Sequence, residues 1–187
     1  MNGAYSAAMS YTIRPVSFYE IPSLEMLIAA SARALSQDDY TPEEIEAAIA
    51  YVFGVDSELV EDGTYFAVVD ENGAYMACGG WSKRRTLFGG DHYAGRKSGL
   101  LDPAKDAAKI RAFFVHPDHA RKGVGKALLE HCEAEAIKHG FKEAELMATL
   151  PGVKLYARYG YLGEEVQKFK QLNGVEVPFI PMRKPLI

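Results

Sequence analysis

Apolar positions change rhythm several times along the 187-residue chain, and each change marks a predicted element. Residues 11–18, YTIRPVSF, alternate partway and predict a strand. Pro15 puts it at an edge or bulge, because proline has no N–H for a ladder. In EIPSLEMLIAASARAL, Leu24, Leu27, Ile28 and Ser31 share a helical face, and Pro22 suits a first turn. A second helix is predicted in DDYTPEEIEAAIAYVF. Thr41 is its N-cap, Pro42 its first residue, and Glu43 and Glu44 face the positive helix end. Its apolar stripe is Ile45, Ala48, Ile49 and Val52. The β-rich runs 64–70 and 74–84 flank Asn72-Gly73, a hairpin pair. Gly79 and Gly80 interrupt the second run, which marks a bulge or a close approach by backbone or ligand.

The rhythm stops over 85–108, which has four glycines and no sustained period; such long loops are often functional. It resumes with a strand at 109–116 and a helix over about 123–139. Val124, Leu128, Cys132 and Ala136 line one side of that helix, and Gly140 stands where a C-terminal glycine belongs. EAELMAT is another strand, LPGVKLYARYG a short helix closed by Gly160, and the tail two strands around Asn173-Gly174. The order β-α-α-β-β-loop-β-α-β-α-β-β predicts a mixed α/β single sheet. Residues 10–187 form one domain in this reading, after a flexible tail at 1–9.

A content of 48% hydrophobic and 25% charged residues is that of a soluble globular protein. The net charge of −4 argues against a nucleic-acid binder, whose domains carry a basic excess. Cys78 and Cys132 stand apart among apolar neighbours, outside any C-x-x-C pair, so they read as reduced core thiols of a cytoplasmic protein. No apolar run approaches a membrane span, and MNGAYSAAMS lacks the form of a signal peptide.

The strongest chemical signal is HPDHARKGVGKALL, 116–129, where a strand hands over to a helix. A helix start presents amide donors with no intrahelical partner. Arg121, Lys122, Gly123, Val124, Gly125 and Lys126 offer no side chain that accepts a hydrogen bond. The donors stay open, the glycines admit a ligand to the backbone, and three cations surround it. This describes an anion site for phosphate or diphosphate. A glycine-softened loop with a solvated basic face is the other reading of the same residues. The nucleotide-triphosphate loop fails at Ala120 and Ala127, and the dinucleotide fingerprint at Leu128. His116 and His119 have H-x-x-H spacing, but no third ligand accompanies them and no metal is expected.

IRAFFVHPDHARKGVGKALL resembles the central motif of the GCN5-related N-acetyltransferases (GNAT): a strand ending Val-x-Pro, a turn [QR]-x-x-G-x-[GA], and a helix. Val115, Pro117, Gly123 and Gly125 match, and Ala120 replaces the Gln/Arg. The family's later L-Y-x-x-x-G-[FY] is similar to Leu155, Tyr156, Gly160 and Tyr161. Thr149 stands where the family often has Asn. The resemblance implies an α+β acyl-CoA N-acyltransferase fold: a mostly antiparallel sheet of six to seven strands with about four helices. It implies acetyl-CoA as cosubstrate, bound where the fourth and fifth strands splay. The pyrophosphate would lie on the amides of Arg121–Lys126 and the pantetheine along Phe113, Phe114 and Val115, with Thr149 nearby. Tyr156 would be the general acid, and the Val115 amide would polarise the acetyl carbonyl.

The expected activity is acetyl transfer to a primary amine of a small molecule. Acetylation of a protein N-terminus or lysine, or non-catalytic acyl-CoA binding, are the alternatives. No base is identified; Asp91, His92 and Asp106 are candidates. Tyr40, Trp81, Asp91, His92 and Tyr93 are the candidate substrate residues. Pairing as a homodimer is expected by resemblance alone.

Overall fold

In the computed structural model, residues 10–187 are described; the expected tail at 1–9 lies outside them. The strand β2 (Tyr65–Asp70) is buried at every position but its last, which requires cover on both faces. Phe66 and Val68 enter one apolar cluster, and Tyr65, Ala67 and Val69 enter another on the opposite face. Around it lie β1 (Tyr11–Pro15), β3 (Tyr75–Ser82), β4 (Ala108–Val115), β5 (Glu143–Thr149), β6 (Gln167–Lys170) and β7 (Glu176–Pro185), in the order β1-β2-β3-β4-β5-β7-β6. Every neighbouring pair is antiparallel except β4 with β5. Pro15 ends an edge strand, where its missing N–H costs no ladder bond.

The helices α1 (Ile21–Leu35), α2 (Pro42–Tyr51) and α3 (Ser57–Glu61) supply Leu24, Ile28, Ile45 and Leu59 to one of the clusters. The other takes Val124, Leu128, Cys132 and Ala136 from α4 (Val124–Lys138) and Tyr156 from α5 (Val153–Arg158). Among the described residues, five α-helices therefore stand where about four were expected. The addition is α3, started by Asp56, whose carboxylate accepts the Glu58 amide at 3.0 Å. The start of α2 is as its sequence predicts: Thr41 Oγ1 accepts from Glu44 N, and Glu44 accepts from Thr41 N.

Two departures from regular pairing shape the middle of the sheet. Cys78 opposes Phe114 and Gly80 opposes Arg111, so Ala112 and Phe113 together face Gly79. This is a β-bulge, and Ala112 takes a left-handed φ of 51° within it. Gly79 is obligatory here, because a methyl group would lie 2.4 Å from the Phe113 ring. The second departure is between β4 and β5, which pair only at Ala108–Ala144 and Lys109–Glu145. Beyond those two rungs the strands part, and β4 from Ile110 to Val115 has no ladder partner on its β5 side.

Candidate active site

The parted strands open into a cleft of about 690 Å³. Phe113, Phe114 and Val115 form one wall, and Thr149, Leu155 and Tyr156 the other. Its outer end is the start of α4. There Gly123 is the N-cap at φ 86°, with no side-chain hydrogen bond to the helix amides, and no atom lies within 4 Å of where its Cβ would be. Arg121 also takes a left-handed φ, of 61°. Arg121, Gly123, Gly125 and Lys126 line the cleft, and Lys154 and Arg158 bring two further cations from α5. A helix start without a side-chain cap, with cations around open space, has the chemistry to hold an anion.

Lys122 and Val124 are not in this lining. Val124 is fully buried. Thr149 ends β5 and borders both the cleft and a smaller cavity of about 50 Å³ at its inner end. That cavity lies near the point where β4 and β5 separate, with Ile110, Leu146 and Met147 in its lining. Phe53, Phe88, Phe114 and Phe179 line it as well. The rings meet edge-on or tilted, with centroids 5.2 Å apart for Phe53–Phe114 and 5.6 Å for Phe88–Phe179.

Tyr156 stands between the two cavities. Burial pushes its phenol well above the ordinary tyrosine value, because a phenolate there would be poorly solvated. It is a protonated hydroxyl at neutral pH, able to donate a proton or a hydrogen bond at the inner end of the cleft. His116 shapes the backbone instead. Its Nδ1 accepts the Asp118 amide at 3.2 Å, opening the turn that leads to the anion site.

The remaining candidates divide. Tyr40 does not line either cavity; its hydroxyl donates to Pro178 O at 2.6 Å and accepts from Leu150 N at 3.0 Å, fastening α2 to β7 and the end of β5. Trp81 is also placed elsewhere. It is buried against Phe141 and His139 at the far end of α4, since its strand position faces that helix. Asp91 accepts from both Ser57 N and Ser57 Oγ, and Tyr93 packs on Phe88 at 4.6 Å. Asp106 accepts from Asp102 N within the loop. His92 lies over Gly54, where a methyl would be 2.7 Å from its Cε1 and 3.1 Å from Glu25 Oε1.

Sequence reasoning missed Arg111. It is buried in β4 and binds Asp56 at 2.7 Å, Thr86 O at 2.8 Å and Gly89 O at 2.6 Å. Arg96 binds the other Asp56 oxygen at 2.9 Å and Glu58 at 2.6 Å. Two further bonds, Gly90 N to Val52 O and Asp91 N to Val55 O, fasten the loop to the segment after α2. The 85–108 loop is thereby pinned over the small cavity. The available signal was a single arginine inside the apolar run IRAFFV.

The model of the Acetyltransferase (GNAT) family matches residues 27–161. A comparison of the sequence with curated proteins returns no match. Among solved structures, the chain is similar to a GCN5-related N-acetyltransferase of Rhodopseudomonas palustris, also described as "Aminotransferase, Class-II", at TM-score 0.69 and 20% identity, covering 96% of this chain and 98% of that one. PaiA N-acetyltransferase of Thermoplasma acidophilum, solved with coenzyme A, gives 0.63 and 16% over 95% and 99%. A phosphinothricin acetyltransferase of Sinorhizobium meliloti, solved with acetyl-CoA, gives 0.61 and 19% over 95% and 89%. At these identities the likeness is one of fold.

Proposed function

The chain belongs to the GNAT family of acetyltransferases, and on that premise we propose that it transfers acetyl from acetyl-CoA to the primary amine of a small molecule by direct attack. One observation carries the reading: the uncapped start of α4 opens on a cleft that runs between the parted strands to Tyr156. The lining fits the cosubstrate. Arg121, Lys126 and the amides of Gly123 and Gly125 would hold its pyrophosphate, and the unpaired β4 edge from Phe113 to Val115 would take the pantetheine as an added strand. When bound it supplies a thioester, whose carbonyl carbon accepts the amine.

This chain's residues then act in three ways. The β4 edge holds the thioester in line and offers an amide to the carbonyl oxygen as negative charge grows there. The aromatic lining of the inner cavity disfavours water beside the thioester. The Tyr156 hydroxyl, held protonated by burial, donates to the departing thiolate. The pinned 85–108 loop lends Phe88 and Gly89 to a cavity of about 50 Å³, a size that favours a small acceptor over a long peptide.

Coenzyme A titration by calorimetry, with thiol release from acetyl-CoA across an amine panel, tests the reading. Saturable binding and amine-dependent thiol release are expected. Binding without turnover of any amine or peptide would replace catalysis with acyl-CoA sensing. Turnover of peptides alone would replace the small molecule, and absence of binding would remove the cosubstrate.

A further inference from the structure

Acetyl transfer needs a nitrogen lone pair, so an ammonium must lose a proton before it attacks. Among the described residues, the ionisable side chains lining the two cavities are arginines, lysines and tyrosines. No carboxylate and no imidazole is among them. In the small cavity they are Arg111 and Tyr156, set among Phe53, Phe88, Phe114 and Phe179.

The acids behind this wall are engaged. Asp56 gives one oxygen to Arg111 and the other to Arg96, while Glu58 also binds Arg96. Asp91 is held by Ser57 and also approaches Arg96 at 3.9 Å. Glu25 uses Oε1 for the Val55 amide at 2.7 Å and lies, with His92, beside Gly54 of the lining without being part of it. An ammonium in this cavity would shed water without meeting a counter-ion, at a cost that a contact with a ring face only partly offsets.

We infer that the acceptor is a weakly basic primary amine, of the α-amino or hydrazine type, which reaches the cavity already uncharged. This inference rests on the acetyltransferase reading above. The proton count then closes without a base on the protein. The lone pair of R–NH₂ forms the C–N bond to the thioester carbonyl carbon, the C–S bond breaks, and its electron pair leaves on sulfur. Tyr156 gives its hydroxyl proton to sulfur and is restored by the proton that the nitrogen gives up, relayed through solvent, so that one proton in all passes from nitrogen to sulfur. The products are R–NH–CO–CH₃ and coenzyme A thiol. A lysine-type amine, with pKa near 10.4, has about 400-fold less free base at pH 7 than an α-amine with pKa near 7.8.

The test is kcat/KM from pH 6 to 9.5 for glycinamide and hydrazine against ethylamine and propylamine, with acetyl-CoA saturating and coenzyme A binding measured on the same protein. Expected at pH 7 is a preference of about 100-fold or more for the weakly basic pair, falling more than tenfold by pH 9. The alkylamine curves should rise tenfold per pH unit, with the inflection following each acceptor rather than the enzyme. Equal rates at pH 7 would overturn the inference, as would coenzyme A binding with turnover of alkylamines alone or of neither pair. So would an inflection near pH 6–7 common to all acceptors and abolished by Glu25→Gln, which would assign a base acting through water. Absence of coenzyme A binding would end the underlying reading as well.

Discussion

Tyr156 illustrates how a residue's chemistry is fixed by where its ring is packed. Its side chain borders both cavities while burial disfavours its anion, so the group that the cleft presents is a proton donor. Tyr156→Phe keeps the ring and removes the proton. The expected outcome is a fall in kcat of roughly 10²–10⁴-fold with coenzyme A affinity nearly unchanged, read by steady-state kinetics beside calorimetry. Glycine has a comparable local role at two positions. Gly79 leaves space for the Phe113 ring, and Gly123 adopts the left-handed turn that starts α4 without a side-chain cap. At Trp81 the sequence misleads. A large aromatic ring beside two glycines suggests a ligand pocket, yet alternation along β3 turns it into the core beside α4.

Elements are held together by contacts that the chain order does not announce. Glu20, in a turn of 3₁₀ helix before α1, receives two hydrogen bonds from Arg14 of β1 and one each from the Ser17 amide and the Tyr75 hydroxyl of β3. The Arg14 bonds, chiefly, lower its carboxyl from 4.5 to about 2. A lowered folded-state value gives stability that is complete above the unfolded value and is lost as pH falls through the folded one. The chain is therefore expected to lose about 2 kcal/mol between pH 4.5 and 2 through this group, the half-exposed Arg14 moderating the amount. Glu20→Gln should remove that slope from urea unfolding measured across the same range. The strands, the long helices and the glycine-rich turn before α4 are legible because periodicity, caps and glycine positions are local. The five-residue α3 is too short to show a period. The glycine pair of β3 signals a bulge, but its placement at Ala112 of β4 is a matter of register between strands, and the inner cavity gathers residues from 52 to 179 with no local signature.

Across the whole molecule, Arg111 joins β4, the 85–108 loop and the cap of α3 through one buried cation. Burial lowers its pKa while Asp56 opposes the shift. Arg111→Leu would leave Asp56 buried with only Arg96 for charge balance. A loss of about 3–5 kcal/mol in urea unfolding is expected, partly recovered in the double variant Asp56→Asn/Arg111→Leu, where no orphan charge remains. The two-rung contact of β4 with β5 has an effect of another kind. Unpaired strand edges usually invite other proteins to add on and aggregate. Here such an edge is internal, with β3 on one side and β5 diverging on the other, so on the proposed reading it is the extended pantetheine that would add to it. Amide deuteration at Phe113, Phe114 and Val115 would register that molecule's arrival as slowed exchange, making the interrupted sheet its own reporter of occupancy.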